Sequence, residues 1–181
     1  MKHAVIGADG FIGANLARRL PGAILTTRRG AYLDGRWSLD LADPGQLPDV
    51  RTVYLCAGVN GALTCARDPQ GSWRVNVDGT IRVAEAYRDR AFVVWLSSTT
   101  VEWGADHYAR QKRTAETVLR AMPHVGIIRA GRVTQANVGA LCDEMIRVAE
   151  ARLAGVTPWN IDEQPYDQGL HVVQAARRAA A

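Results

Sequence analysis

A tyrosine and a lysine four residues apart, Tyr108 and Lys112, are the side chains of this sequence best suited to moving a proton. If a helix starts at Asp106, the two lie one above the other on the same helix face. An ammonium group beside a phenol lowers the phenol's pKa from its ordinary value near ~10, and each unit corresponds to roughly 1.4 kcal/mol. Thr99, at the end of the preceding apolar strand, could hold a substrate oxygen while Tyr108 transfers its proton. Such transfer is typically worth about 10²- to 10⁴-fold in rate.

This spacing alone is a weak indication, because an ordinary solvated helix face also carries Tyr and Lys four residues apart. The elements that would position the pair therefore decide between the two interpretations.

The composition indicates a single soluble domain and argues against several classes of partner. The net charge of +4 is not gathered into a basic run, so we expect no nucleic-acid partner. No apolar run approaches the ~18 residues of a membrane helix, and the sequence opens on a strand-like segment rather than a signal peptide, so we expect no membrane association. The three cysteines lack a C-x-x-C pair and suit free thiols in a reducing cytoplasm. The four histidines show no metal-ligand spacing, so no metal site is expected.

The first candidate cofactor element is a glycine turn between a short apolar strand, residues 3–6, and a helical segment, residues 14–20. Gly7 allows the tight turn, Gly10 lets the backbone approach a pyrophosphate, and Gly13 lets the helix pack closely on the strand. The helix N-terminus favours phosphate groups. Glycines of an ordinary turn are the alternative interpretation.

The second strand, residues 23–27, ends without the acidic residue that would bind the 2′-hydroxyl of the adenine ribose. Thr27 occupies that place, and Arg28 and Arg29 follow. An arginine here can bind a 2′-phosphate through bonds worth roughly 1.5–3 kcal/mol each, which predicts about a ten- to hundredfold preference for NADP over NAD. Two solvated loop arginines are the alternative.

Later strand ends carry further candidates. Asp40 could accept a hydrogen bond from the adenine amino group or cap the turn before Pro44, and both interpretations stay open. Ala57 and Gly58 end a buried strand and suit the close passage of a cofactor ribose. Asn76 could tie backbone at the site or be a buried structural asparagine.

Alternating strands and helices predict an α/β doubly wound parallel sheet with right-handed crossovers. We assign residues 1–135 to a dinucleotide-binding Rossmann domain and residues 136–181 to a reduced substrate-side extension packed on it. Within the extension, residues 139–153 are predicted as an amphipathic helix, 157–169 as a loop and 170–181 as a helix. Ligands of such sheets bind at the carboxyl ends of the strands. The candidates that lie there are the glycine turn, Arg28, Asp40, Gly58, Thr99 and Ala130.

Together these motifs resemble the short-chain dehydrogenase/reductase superfamily, specifically the extended branch of NAD-dependent epimerases and dehydratases. The matching motifs are Gly7, Gly10 and Gly13; Asp40-Leu41; Ala57-Gly58; Asp68-Pro69; Asn76-Val77-Asp78-Gly79-Thr80; Ser97 to Gly104; Tyr108 and Lys112; and Arg129. The match covers about residues 3 to 133.

The resemblance implies roles for these residues. Tyr108 is the general acid/base, Lys112 lowers its pKa and binds the nicotinamide ribose, and Thr99 orients the substrate oxygen. Hydride passes between the nicotinamide and a carbonyl or alcohol carbon. The cofactor is expected to be NADP, with NAD possible, and the expected cofactor-binding residues are Gly7, Gly10, Phe11, Ile12, Arg28, Arg29, Asp40, Leu41, Ala57, Gly58 and Ala130.

The sequence also departs from this family. Relatives place about twenty residues between the glycine that matches Gly104 and the tyrosine that matches Tyr108, whereas three intervene here. The Gly-Pro that follows the sixth-strand arginine in relatives is missing after Arg129, and about fifty residues remain for a substrate region. We therefore expect a small carbonyl or sugar-type substrate, an open cleft, or a surface supplied by a partner subunit in a homo-oligomer. A catalytically weak NADP-binding sensor or complex-supporting protein is the alternative function.

Overall fold

The centre of the fold is a seven-stranded sheet with the order β3-β2-β1-β4-β5-β6-β7. The computed structural model describes residues 2–28, 36–154 and, for the backbone, 170–174. The strands are β1 His3–Ile6, β2 Ile24–Thr27, β3 Trp37–Ser38, β4 Thr52–Leu55, β5 Phe92–Ser98, β6 Val125–Ala130 and β7 Leu170–Gln174. The first six pair in parallel, which confirms the predicted doubly wound α/β sheet.

Helices cover both faces of the sheet and connect β1 to β2, β4 to β5 and β5 to β6. They are α1 Phe11–Ala17, α2 Ala62–Arg67, α3 Pro69–Trp73, α4 Thr80–Ala86, α5 His107–Leu119 and α6 Val138–Leu153. A π-helical segment, Arg74–Gly79, joins α3 to α4, and a 3-10 turn, Thr99–Val101, follows β5. The carboxyl ends of the parallel strands therefore lie along one edge, where β5 leads into the turn before α5.

Two hydrophobic clusters, one on each side of the sheet, hold these layers together. Side chains of a strand alternate between the clusters, as the period of two requires. In β1, Val5 belongs to the cluster that includes α1 and α6, whereas Ala4 and Ile6 belong to the one that includes α4 and α5. Trp95 of β5 is fully buried in the second cluster and lies under the helix that carries Tyr108.

The helical segment from Pro69 to Ala86 contains a change of helix type. The π-helical turn lies between α3 and α4, a rare geometry often found at functional sites. Gly79 ends that turn directly against the backbone of the segment after β3. A Cβ at this position would lie 1.9 Å from the carbonyl oxygen of Leu41, so glycine is required for the close packing.

The prediction of a helix over residues 170–181 was wrong for its first part. Residues Leu170–Gln174 form β7, which pairs antiparallel with β6. The open edge of β6 supplies backbone partners to this segment, and the pairing outweighs the alanine content that follows it. Residues 175–181 and the predicted loop 157–169 lie outside the described residues.

Gly79→Ala should destabilise the fold by about 3 kcal/mol or prevent folding, because the added methyl group meets backbone that cannot rotate away. Gly71→Ala is the matched control in the adjacent helix. Its Cβ would meet only the Asp68 carboxylate, which caps α3 through Gly71 N–H at 2.8 Å. Loss of that cap destabilises α3 by about 1 kcal/mol, and the higher helix propensity of alanine stabilises it by about the same amount. We therefore expect little net change in stability.

Urea unfolding followed by circular dichroism measures both variants. Equal losses of stability in the two would contradict the packing role assigned to Gly79.

Candidate functional site

Helix α5 carries the proton-transfer pair and begins where the sequence predicts. The carboxylate of Asp106 accepts a hydrogen bond from the backbone N–H of Ala109 at 2.9 Å and caps the first turn. Tyr108 and Lys112 therefore lie one helical turn apart on one side of the helix. Tyr108 is partly buried, and Lys112 is only 7% exposed.

The Lys112 ammonium is held against the end of β5. Its Nζ donates to the carbonyl oxygen of Leu96 at 2.8 Å and lies 4.7 Å from the ring centroid of Trp95 and 5.9 Å from that of Tyr108. Burial lowers the pKa of this ammonium to about 8, and the negative charge of Glu116 opposes the shift only in part. The ammonium therefore titrates close to neutral pH.

The expected lowering of the Tyr108 pKa was wrong for this structure. Burial of the phenol raises its pKa, and the negative charge of Asp106 acts in the same direction. Lys112 lies over the face of the tyrosine ring and donates to Leu96, so its charge is not directed at the phenol oxygen. Desolvation outweighs the ammonium, and the phenol stays protonated at neutral pH.

The side chain that counteracts the effect of burial on the Tyr108 phenol is Ser98, whose hydrogen bonding opposes the rise in the phenol's pKa. Ser98 Oγ is also fixed locally, since it accepts from Thr100 Oγ1 at 3.0 Å and from Thr100 N–H at 3.3 Å. Thr99, the predicted catalytic hydroxyl, is half-buried at the start of the 3-10 turn.

The end of β4 faces the same lysine. A Cβ on Gly58 would lie 3.9 Å from Lys112 Nζ and 3.1 Å from the side-chain oxygen of Asn76, so a larger residue would fill this space. Asn76 holds the next residue, Val59, at both backbone groups, with bonds of 2.8 Å from its N–H and 2.9 Å to its carbonyl. Asn76 is therefore buried and also holds the backbone of Val59, so both interpretations of this residue apply.

Gln111 was not predicted as part of the site. It precedes Lys112 on α5, is fully buried, and its side-chain oxygen accepts from Asn76 Nδ2 at 2.8 Å. Its Nε2 donates to Ser72 Oγ of α3 at 2.8 Å. Through Asn76, which holds Val59, Gln111 joins the loop after β4 to the helix that carries the proton-transfer residues. A single glutamine between Tyr108 and Lys112 gave no motif by which to find it.

The glycine turn after β1 has the close contacts that its sequence predicts. Gly7 has φ +88°, and a Cβ there would lie 2.7 Å from the backbone of Ala57, so β1 and β4 leave no room for a side chain between them. A Cβ on Gly13 would lie 2.1 Å from the Gly7 carbonyl oxygen, and the Gly10 N–H donates to that oxygen at 3.0 Å. Phe11 is half exposed at the start of α1, and Ile12 packs against the core.

A negative charge that was not predicted, that of Asp9, lies at the end of β2. Arg28 is exposed there, and Arg29 lies outside the described residues. The carboxylate of Asp9, from the glycine turn, accepts a hydrogen bond from Thr27 Oγ1 and forms an ion pair with Arg36. Asp9 is one of the two residues between Gly7 and Gly10, and its spacing gave no reason to pair it with β2.

Three remaining cofactor-binding candidates lie at strand ends. Asp40 Oδ1 accepts a hydrogen bond from the Ala42 N–H at 2.9 Å. This bond forms a local turn, which resembles the interpretation of Asp40 as a cap for the turn before Pro44. Leu41 is buried, and its carbonyl oxygen packs against Gly79. Ala130, at the end of β6, is buried and pairs in register with Ser98.

A buried carboxylate, Glu116, ties α5 to β5 and β6. Arg129 donates to both of its oxygens and also to Glu102 at 2.8 Å, and Ser97 Oγ donates to Glu116 at 2.9 Å. Burial alone would raise the Glu116 pKa, but these hydrogen bonds and the charge of Arg129 hold it below its ordinary value. Glu116 was not predicted, although it continues the four-residue spacing of Tyr108 and Lys112 along one helix face.

The short connection before α5 is fastened to the helix. Arg113 donates through Nε to the Val101 carbonyl at 2.9 Å and through its guanidinium to the Gly104 carbonyl at 2.8 Å. Trp103, between them, is 73% exposed. Because so few residues separate Gly104 from Tyr108, this connection leaves little chain to close over the phenol.

Other kinds of site receive no support from the described part of the chain. It contains no group of three or more His, Cys, Asp or Glu side chains placed to hold a metal ion. None of its helices combines the length and the apolar character needed to cross a membrane. A cavity of about 600 Å³ lies between α3, the π-helical turn and α5, lined by Trp73 and Arg110 among others, but Tyr108 and Lys112 do not line it.

Lys112→Met should be more stable than the wild type at pH 7, and its advantage should shrink as pH rises. The folded-state pKa of about 8 lies below the ordinary 10.5, so the unfolded chain binds more protons between these values. The wild type therefore gains stability relative to the variant from about pH 8 to 10.5, by up to about 3 kcal/mol.

Urea unfolding at several pH values measures this difference. The matched control is Lys2→Met, at the chain's only other lysine, whose side chain is exposed to solvent. A Lys112→Met difference that stays constant across this range would contradict the assigned burial cost.

Solved structures share this fold at low sequence identity. A hypothetical dTDP-4-dehydrorhamnose reductase from Sulfolobus tokodaii is 22% identical with a TM-score of 0.61, over 72% of this chain and 56% of that one. MoeE5 in complex with UDP-glucose and NAD is 24% identical with a TM-score of 0.57, over 72% and 53%. A GalE-like L-threonine dehydrogenase from Cupriavidus necator, in its holo form, is 21% identical with a TM-score of 0.61, over 86% and 63%.

These likenesses show the fold, and the chain spans little more than half the length of the solved structures it matches. No curated protein sequence matches it significantly. The sequence model of the NAD dependent epimerase/dehydratase family, however, matches residues 3–124. That match covers well over half of the chain and confirms the resemblance drawn from its motifs, so the protein belongs to the NAD dependent epimerase/dehydratase family.

Proposed function

We propose that this protein is an NAD(P)-dependent oxidoreductase or epimerase/dehydratase-like enzyme that uses Tyr108 as its general acid/base. The observation that carries the proposal is the packing of Tyr108 and Lys112 beside the hydroxyl-rich end of β5, opposite Gly58. A solvated helix face would not bury a lysine to 7% exposure against a strand carbonyl. This burial favours the catalytic interpretation of the Tyr-Lys spacing.

The residues at the strand ends fit a dinucleotide. Gly7 and Gly13 let the turn after β1 pack against backbone that a Cβ would meet, and Gly58 leaves a space beside Lys112 at the end of β4. The residues proposed to hold the cofactor are Gly7, Gly10, Phe11, Ile12, Arg28, Asp40, Leu41, Ala57, Gly58 and Ala130. Arg29 keeps its predicted role only as an expectation from the sequence.

A bound nicotinamide would supply or accept the hydride that changes the oxidation state of the substrate carbon. The protein's own contribution is the proton. With its raised pKa the Tyr108 phenol is protonated at neutral pH, so it can donate to the oxygen of a carbonyl substrate. Ser98 is proposed to hold the phenol oxygen, and Thr99, next along the chain, is proposed to orient the substrate oxygen.

The substrate is proposed to be a small carbonyl or sugar-type compound. Arg113 holds the short connection before α5 close to the helix, so the phenol side of the cleft stays open. The exposed Trp103 offers an apolar face there. Residues 136–181 are proposed to supply the remaining substrate surface, and a second copy of the chain could complete it.

A reducing cytoplasm remains the proposed location, because Cys56, Cys65 and Cys142 are all free thiols. The carboxylate of Asp9 lies at the same strand end as Arg28 and opposes the NADP preference predicted from Arg28 and Arg29.

The second candidate function is a cofactor-binding protein with weak turnover or none. One observation favours it: the raised pKa of the phenol, which disfavours proton acceptance. Turnover that depends on Tyr108 separates the two functions.

Tyr108→Phe should lower kcat/KM for carbonyl reduction about 10²- to 10⁴-fold, because the variant lacks the proton that Tyr108 donates. Its affinity for NADH or NADPH, measured by fluorescence titration, should stay within about threefold of the wild type. Tyr87→Phe is the matched control, since the Tyr87 phenol is buried elsewhere and donates to the Pro48 carbonyl at 2.8 Å. Nucleotide binding without any Tyr108-dependent turnover across a panel of carbonyl compounds would favour the second function.

Ser98→Ala should raise the Tyr108 pKa further, because it removes the hydrogen bond that opposes the effect of burial. Thr99→Val should leave that pKa unchanged and lower kcat/KM by about 10- to 100-fold through loss of substrate orientation. Phenolate absorbance during alkaline titration, taken as the difference from Tyr108→Phe, measures the pKa in each protein. The opposite pattern, with only Thr99→Val shifting the titration, would assign the phenol contact to Thr99.

A further inference from the structure

Asp9 is an acidic residue in the glycine turn, and its carboxylate is fixed at the end of β2. It accepts a hydrogen bond from Thr27 Oγ1 and pairs with Arg36, and the two side chains of the ion pair are 35% and 34% exposed. The turn itself is tied to β2, since Ala8 N–H donates to the Thr26 carbonyl at 3.2 Å and Gly7 N–H to Thr26 Oγ1 at 3.3 Å. The carboxylate is thus held at this strand end from both sides.

The end of β2 is where a doubly wound fold recognises the adenine ribose. In NAD-binding members an acidic residue at this place accepts hydrogen bonds from the ribose hydroxyls. In this chain Thr27 occupies the place by position, and its hydroxyl is hydrogen-bonded to Asp9. The carboxylate therefore reaches the expected location of the acid from a different segment of the chain.

We propose that Asp9 is the specificity-determining residue of the adenine-ribose site and makes this protein select NAD over NADP. The inference rests on the proposed function, since it requires that a nicotinamide dinucleotide binds at the glycine turn. It opposes the preference for NADP that Arg28 and Arg29 suggest in the sequence.

The charges at the strand end favour this direction. A 2′-phosphate would bring two negative charges next to the Asp9 carboxylate, whereas a 2′-hydroxyl can donate a hydrogen bond to it. The guanidinium of Arg36 is paired with Asp9 and neutralises it in part, so less of its charge is available to a phosphate. Arg28 is exposed, where solvent and salt screen its attraction. The Asp9 carboxylate is held in place by Thr27 and Arg36 and therefore dominates the selection.

Removing the Asp9 charge should therefore do two things at once. The repulsion of a 2′-phosphate disappears, and Arg36 loses the carboxylate with which it is paired. Both changes favour the phosphorylated cofactor, so Asp9→Asn should change the ratio of affinities and not merely weaken both.

Fluorescence titration with NADH and NADPH, which differ only in the 2′-phosphate, measures this ratio on the full chain. The wild type should bind NADH at least about tenfold more tightly, and Asp9→Asn should reduce the ratio to about threefold or reverse it. Asp9→Glu, which keeps the charge, should retain the preference for NADH. Asp89→Asn is the charge-matched control. This exposed residue follows α4 near the amino end of β5, at the opposite end of the strands from Asp9.

Thermal unfolding of each variant checks that it is folded. Tighter binding of NADPH by the wild type, or a ratio that Asp9→Asn leaves unchanged, would overturn the role of Asp9 and leave the proposed function standing. Failure of either nucleotide to bind the folded wild type would instead remove the proposed function, and this inference with it.

Discussion

The burial of one ammonium group, that of Lys112, is the constraint on which the site depends. A charged group in an apolar interior is costly unless it is paired, and the lowered pKa of Lys112 records that cost. Its partners are the Leu96 carbonyl and the faces of two aromatic rings, Trp95 and Tyr108, and none of these carries a formal charge. A hydrophobic side chain would pack at this place with less loss of stability. A lysine that lowers stability at this place is the kind of residue found where function and stability compete, and it fits the role proposed for Lys112.

The surroundings of Lys112 keep α5 in a fixed position relative to the strand ends. On one side Gln111 joins Asn76 and Ser72, and through Asn76 it fixes the backbone that follows Gly58. On the other side Glu116 joins α5 to β6 through Arg129. Each of these side chains has its partners among residues far away in the sequence. Such satisfied polar networks specify one arrangement of the elements, whereas an apolar contact alone would allow helix α5 to slide.

Local spacing was enough to predict the parallel sheet, the glycine turn and the helix start at Asp106. These features depend on neighbouring residues, as the Asp106 cap on Ala109 and the bond from the Gly10 N–H to the Gly7 carbonyl illustrate. Residues 170–174 form a strand instead of the predicted helix because β7 pairs with the open edge of β6. The composition of residues 170–181 does not reveal this pairing. Asp9, Gln111 and the Ser98 contact also escaped prediction, since each depends on which distant segments meet. The direction of the Tyr108 pKa was mistaken for the same reason, because the extent of burial is a property of the folded chain.

The two shifted pKa values together determine which proton leaves the site first. The free phenol and ammonium groups have ordinary pKa values of 10.0 and 10.5, so in water the phenol would lose its proton slightly before the ammonium. In this fold burial raises the first value and lowers the second to about 8, and the order is reversed. Above about pH 8, and below the raised pKa of the phenol, the pair is then a protonated phenol beside a neutral amine. A phenol that keeps its proton is suited to protonating the oxygen of a carbonyl group, which is the step that the proposed function assigns to Tyr108.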